Sequence, residues 1–149
     1  MDLVYYDLRA NDDLEGYVAD YSAFLEAHGE RPIRCRRLDT LEQLLCEADV
    51  VSLHAVLDDS TRHIIDASRL AQMKDDAILI NSSRGPLVDE EARVEHCRTH
   101  PDFYAALDVF EREPETAPRL LDLAQRRSRA APRRGHSLDP REDGDAGGA

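Results

Sequence analysis

The chain has 149 residues, with 19 Lys and Arg against 31 Asp and Glu and a formal charge of −12. That length suffices for one domain with its own core, and an acidic body lacks the clustered cations that a nucleic-acid partner demands. No apolar run reaches the ~18 residues of a membrane span, no basic-then-apolar leader opens the chain, and Cys35, Cys46 and Cys97 are odd in number without metal spacing; reduced, structural thiols in a cytoplasmic protein are predicted, with no metal.

Leu3-Val4-Tyr5-Tyr6 reads as a first strand. Leu14, Tyr17, Val18, Tyr21, Phe24, Leu25 and His28 then recur at i, i+3, i+4 spacing, predicting a helix with Gly29 as its C′ stop. Pro32 to Cys35 forms a weak second strand, and Asp39 with Glu42 makes a capping box ahead of Leu41, Leu44 and Leu45. Val50 to Leu53 is a third strand, and Asp66 caps a helix running through Leu70 and Met73. Ala77 to Ile80 is a fourth strand, Asp89 opens a helix to about His100, and Tyr104 to Val109 is a fifth strand. Arg93 stands where that last helix wants an apolar side chain, and there it either snorkels or marks damage to the sequence. Strands alternating with helices imply βαβ units and a parallel sheet, so the fold class is α/β. After Leu123 the composition changes: residues 124–149 hold Leu138 as their single large aliphatic side chain, and six Arg against four Asp and Glu. Too little apolar area is available there to offset ordering entropy, which predicts disorder.

Ligands of parallel α/β sheets bind just beyond the carboxyl ends of the strands. Two strands here end abruptly in polar residues, Asn81-Ser82-Ser83-Arg84-Gly85 and Asp108-Val109-Phe110-Glu111-Arg112-Glu113-Pro114. They would face one crevice, where an arginine fork suits the carboxylate of an anionic substrate and can polarise a neighbouring keto oxygen. A glycine directly after Arg84 lets backbone pass close to a ligand. Glu113 adds a carboxylate beside Pro114 to the same stretch. Asp7 ends the first strand, and an acid at such an exit hydrogen-bonds ribose hydroxyls and repels a 2′-phosphate, favouring NAD over NADP, with Arg9 nearby. His54, His63, His96 and His100 lie in loop or helix positions and read as structural or exposed.

The same residues carry a closer resemblance. Ile78 to Gly85, Asp108 to Pro114, Val4-Tyr5-Tyr6-Asp7-Leu8, Asp20 to Leu25, Ala48 to His54 and Val94-Glu95-His96-Cys97 are similar to the D-2-hydroxyacid dehydrogenase family, in its glycerate dehydrogenase/hydroxypyruvate reductase branch. The resemblance spans residues 1 to about 118. It implies a Rossmann-like, doubly wound parallel sheet and NAD-dependent reduction of hydroxypyruvate or glyoxylate to the D-2-hydroxyacid. By position it implies that Arg84 binds and polarises the 2-oxoacid and that Glu113 tunes a histidine. Asp7 would hold the ribose, and Ala55, Ser82, Ser83, Arg84 and Asp108 would sit against the cofactor. The partner implied is a small 2-oxoacid, with no nucleic acid or membrane, in full-length relatives that are homodimeric.

Against the family pattern, the sheet is expected to be incomplete. Its first strand and glycine-rich phosphate loop, central in the order 3-2-1-4-5-6, would lie between the strand ending at Asp7 and the strand ending at Leu53. The Pro-His pair that carries the catalytic histidine would fall near Ala131, in the arginine-rich tail. Shifting the reading by one base makes codons from Gln125 onward compatible with Asn-Val-Val-Leu-Ala-Pro-His and then Ala-Thr-Arg-Trp-Thr-Arg, similar to the family's continuation. Residues 1–118 are therefore read as a partial NAD-binding domain and residues 119–149 as an out-of-frame tail, the chain alone being inactive. The alternative is a non-catalytic α/β module that binds a nucleotide or a protein. A phospho-receiver is set aside, because it needs a lysine after its last strand and the single lysine here is Lys74.

Overall fold

The computed structural model describes residues 2–111. In chain order these form β1 (Leu3–Tyr5), α1 (Asp12–Ala27), β2 (Cys35–Arg37), α2 (Leu41–Glu47), β3 (Val50–Leu53), α3 (Ala67–Leu70), β4 (Ile78–Asn81), a 3-10 turn (Gly85–Leu87), α4 (Glu90–Thr99) and β5 (Tyr104–Leu107). All pairing is parallel: β1 with β2, and β3 with β4 with β5. Among the described residues β1 and β3 share no ladder. That is the arrangement expected when the central strand of the 3-2-1-4-5-6 order is not among them. It leaves each of the two strands with one edge of unpaired backbone groups.

Alternation decides which face of the three-stranded sheet is buried. Val51 and Leu53 of β3 and Leu79 of β4 point inward, and Leu45, Ile65, Leu70, Leu87 and Phe103 close over them with no exposed area. On the opposite face the in-register partners Val50, Ile78 and Tyr104 form an apolar row that is one-third to one-half exposed. Val4 of β1 packs against the same core from the two-stranded sheet.

Several local expectations shift. The second strand starts at Cys35 instead of ending there, because Pro32 has no N–H for a ladder and β1 pairs from Leu3 with Cys35. The capping box belongs to Thr40 and Gln43, one residue later than Asp39 and Glu42. Gln43 reaches back to the N–H groups of both Asp39 and Thr40, while Glu42 turns to the guanidinium of Arg69 at 3.0 Å. The fourth strand runs on to Asn81 and the fifth stops at Leu107. Asp66 and Asp89 cap their helices as expected, accepting from Arg69 and Ala92, and Gly29 follows α1 with φ of 75°. Helix α1 forms as its spacing predicts, but little of its apolar stripe is covered. Val18 is its one buried residue, and Tyr17, Tyr21 and Phe24 are exposed. The three cysteines are free thiols.

His96 of α4 stacks on His100 with ring centroids 3.9 Å apart and meets the edge of Phe103 at 4.6 Å. Its Nε2 is buried without a hydrogen-bond partner. Burial, with the adjacent His100 charge second, pushes its pKa below the ordinary 6.5. The unfolded chain therefore binds this proton first, so the stabilisation is complete above the unfolded value and is lost as pH falls below it. His96→Phe keeps the ring packing and removes the titration. Its melting temperature should gain on that of the parent chain as pH is lowered from about 7.5 to about 5.5, and a difference that does not move with pH would contradict this assignment.

Candidate functional site

Pairing of Leu53, Asn81 and Leu107 in one register brings the exits of β3, β4 and β5 to one edge of the sheet. Asn81, 1% exposed, shapes the central exit. Its Nδ2 donates to the Arg84 carbonyl at 2.9 Å and its Oδ1 accepts from the Ser83 N–H at 3.1 Å, folding the chain back over the strand end. Two further bonds tie the neighbouring strands to this turn. Ser83 Oγ donates to the Leu53 carbonyl at 2.7 Å, and the Asp108 N–H donates to the Asn81 carbonyl at 3.0 Å. Ser82, Ser83, Arg84, Asp108 and the half-buried Ala55 are thereby gathered at the one edge.

Arg84 is exposed, and its Nη1 donates to the Ser83 carbonyl at 2.7 Å. Among the described residues no carboxylate pairs with it. Gly85 directly after it is buried, and a Cβ there would lie 2.0 Å from the Phe110 carbonyl oxygen. The glycine is thus required by backbone of the β5 exit, which approaches where a side chain would stand.

Asp7 lies exposed beyond β1, its Oδ1 accepting from the Arg9 N–H at 3.1 Å. Arg37, the last residue of β2 and the register partner of Tyr5, clasps this exit. Its guanidinium donates to the Asp7 carbonyl at 2.8 and 3.2 Å and to that of Leu8 at 3.3 Å. Nothing in the strand pattern marks Arg37, because its partners are the backbone carbonyls of Asp7 and Leu8, 30 and 29 residues away. Glu113, the Pro114 that follows it and the arginine-rich tail lie outside the described residues.

A cavity no larger than a single water lies behind the Arg84 turn, lined by Asn81, Gly85, Glu90, Arg93 and Glu111 among others. Arg93 does not snorkel: it is 2% exposed. Its Nη2 lies 3.5 Å from Glu90 Oε1 and has no hydrogen-bond partner. Burial pulls its pKa down, against the opposing pull of Cys97 and Glu90. Glu90 in turn accepts from the Glu111 N–H at 3.3 Å. Glu111 Oε1 pairs with His63 Nε2 at 2.9 Å and approaches Arg62 Nη1 at 3.7 Å.

The geometry has two consequences for stability. Gly85→Ala forces the Arg84 turn away from Phe110 and should cost on the order of 3 kcal/mol or more in chemical denaturation, whereas unaltered stability would mean that the two segments do not meet. Exchanging a buried ion pair for uncharged groups of similar size is commonly neutral or stabilising by roughly 1–4 kcal/mol. Arg93→Leu combined with Glu90→Gln should therefore hold or raise the denaturation midpoint, whereas Arg93→Leu alone should lower it, since it strands the buried Glu90 carboxylate.

Comparison with known proteins agrees with this architecture. Residues 12–127 match the family model described as "D-isomer specific 2-hydroxyacid dehydrogenase, NAD binding domain". Over 122 residues the chain is 49% identical to the peroxisomal glycerate dehydrogenase HPR of Arabidopsis thaliana, covering 82% of this chain and 32% of that protein. Over 123 residues it is 50% identical to glycerate dehydrogenase of Cucumis sativus, covering 83% and 32%. Among solved structures, a glyoxylate reductase from Paecilomyes thermophila superposes with a TM-score of 0.65 at 31% identity, covering 82% of this chain and 32% of that one. The chain thus spans about a third of the length of the curated relatives it matches.

Proposed function

This chain belongs to the D-isomer-specific 2-hydroxyacid dehydrogenase family, through its NAD-binding domain, and on that premise we propose that it carries the arginine-bearing part of an NAD-dependent oxidoreductase that reduces hydroxypyruvate or glyoxylate to the D-2-hydroxyacid. The observation that carries this reading is Arg84, held beyond a buried Asn81 with no carboxylate partner among the described residues. An arginine in that setting is free to grip an anion from solution.

The residues present suit one side of a dinucleotide. Asp7 is exposed on a strand exit that Arg37 braces, which suits hydrogen bonds to ribose hydroxyls. Ala55, Ser82, Ser83 and Asp108 line the parallel strand exits where such a cofactor lies in this architecture. Bound there, NADH supplies the hydride that reduces C2 of the 2-oxoacid. Arg84 would bind the substrate carboxylate bidentately and polarise the keto oxygen, stabilising the negative charge that grows on it. Glu113 would hold a histidine protonated so that the oxygen receives a proton. By this reading residues 1–118 form the domain and 119–149 are translated out of frame, which sequencing the DNA across codons of about 115–125 tests directly. We assign the protein to the cytoplasm and expect no nucleic-acid or membrane partner, which the acidic charge supports; no described helix is long and apolar enough to cross a membrane. A homodimer is the assembly proposed for the full-length form.

The 149 residues contain no G-x-G-x-x-G loop to cradle a pyrophosphate, so alone they should not oxidise NADH with hydroxypyruvate. Activity should appear in a chimera in which residues 1–118 replace the matching segment of the Cucumis sativus enzyme. In that chimera Arg84→Ala should lower kcat/KM on the order of 10²–10³-fold. A folded chimera that binds NADH and leaves every 2-oxoacid unreduced would refute the proposal.

A further inference from the structure

We infer that His63 is a positioning residue for Arg84, acting through a clasp with Glu111 that fixes the turn on which Arg84 stands; the inference rests on the substrate-binding role proposed for Arg84. His63 is the one non-glycine among the described residues with a left-handed backbone, at φ of 52°. Such a conformation persists where the surroundings over-determine it, and it concentrates at functional sites. Here the surroundings are specific. The His63 N–H donates to the Pro86 carbonyl at 2.8 Å, in the 3-10 turn directly after Arg84 and Gly85. The His63 ring reaches Glu111 Oε1 at 2.9 Å, across 48 residues of sequence. Glu111 follows Phe110, whose carbonyl oxygen occupies the space that a Cβ on Gly85 would need.

The turn is therefore held from two sides. Backbone from Phe110 and Glu111 presses on Gly85, and backbone from His63 bonds to Pro86. The His63–Glu111 side-chain pair joins those two sides into one closed frame. The remaining charged groups that touch the frame serve it without completing it. Arg62 lies 3.7 Å from the same Glu111 oxygen at the surface, and Glu90 accepts the Glu111 N–H from the interior, with Arg93 behind it. With the ring removed, the turn keeps its contact with Phe110 but loses the link that prevents the two flanks from sliding apart. Arg84 would then keep its chemistry and lose its aim.

Three variants separate positioning from a merely structural role. His63→Gly removes the ring and relieves the left-handed backbone, His63→Gln retains a donor for Glu111, and Glu111→Ala removes the acceptor. Hydrogen exchange on the full 149-residue chain reads the clasp without reference to chemistry. In His63→Gly and Glu111→Ala the Leu87 and Val88 amides should exchange roughly tenfold faster or more, with Leu79 in the sheet unaffected. His63→Gln should restore part of the protection. In the chimera, His63→Gly should raise KM for hydroxypyruvate by about tenfold or more and leave the Kd for NADH unchanged. Unchanged exchange in both variants, or no slow exchange at Leu79 in the parent chain, overturns the clasp. Faster exchange with an unaltered KM overturns its role in aiming Arg84. A chimera inactive toward 2-oxoacids refutes the function assigned to Arg84 and with it the aiming role, while the exchange result still decides whether the clasp exists.

Discussion

The approach of the Phe110 carbonyl to Gly85 is the constraint on which the strand-exit geometry depends. Backbone against backbone leaves no side chain to rearrange, so the spacing between the β4 and β5 exits has little freedom. Asn81 meets the same constraint from below. Buried inside the core edge, it has donor and acceptor needs that the Arg84 carbonyl and the Ser83 N–H meet. A carboxamide that must be satisfied and a glycine that must be bare together dictate the path of four residues. That path delivers Arg84 to the surface at the sheet edge.

Around this turn the charges are layered by depth. Arg93 and Glu90 are buried beneath it, Glu111 is partly covered, and Arg62 is at the surface. The sequence reading took Arg93 for an intruder on an apolar face, and in energy that view still has merit, since its Nη2 goes without a hydrogen bond. In position, however, it neutralises Glu90, and Glu90 receives the N–H of Glu111. A lone misplaced cation would have only a cost, whereas this one balances the carboxylate that receives the Glu111 N–H.

How much was readable from sequence follows physical range. β3 was placed to the residue because alternating burial is written in neighbours, Val50 to Leu53. The caps at Asp66 and Asp89 were readable for the same reason, and the slip from Asp39 to Thr40 is the ambiguity of two capping residues side by side. The α1 stripe was legible as a helical apolar period, and in the fold Tyr17, Tyr21 and Phe24 of it stay exposed. A helical period records which face seeks cover, and says nothing of whether the cover lies in the same stretch of chain. The residues at the strand ends could be grouped from sequence because parallel topology puts strand ends together. The Arg37 clasp and the His63–Glu111 pair join residues 30 and 48 apart and leave no periodic trace. His63, passed over as an ordinary loop histidine, shows its distinction only in its backbone angle.

The contact between Gly85 and Phe110 also sets an order of events. The two segments are separated by all of α4 and β5, so the Arg84 turn has nothing to press against until β5 has paired with β4. Nonlocal pairings of this kind form late, after loop-closure entropy has been overcome. During synthesis the arginine therefore emerges early and acquires its final setting among the last parts of the sheet. A chain halted or diverted between Gly85 and Phe110 would contain every atom of Arg84 and still lack the backbone contact that sets its turn.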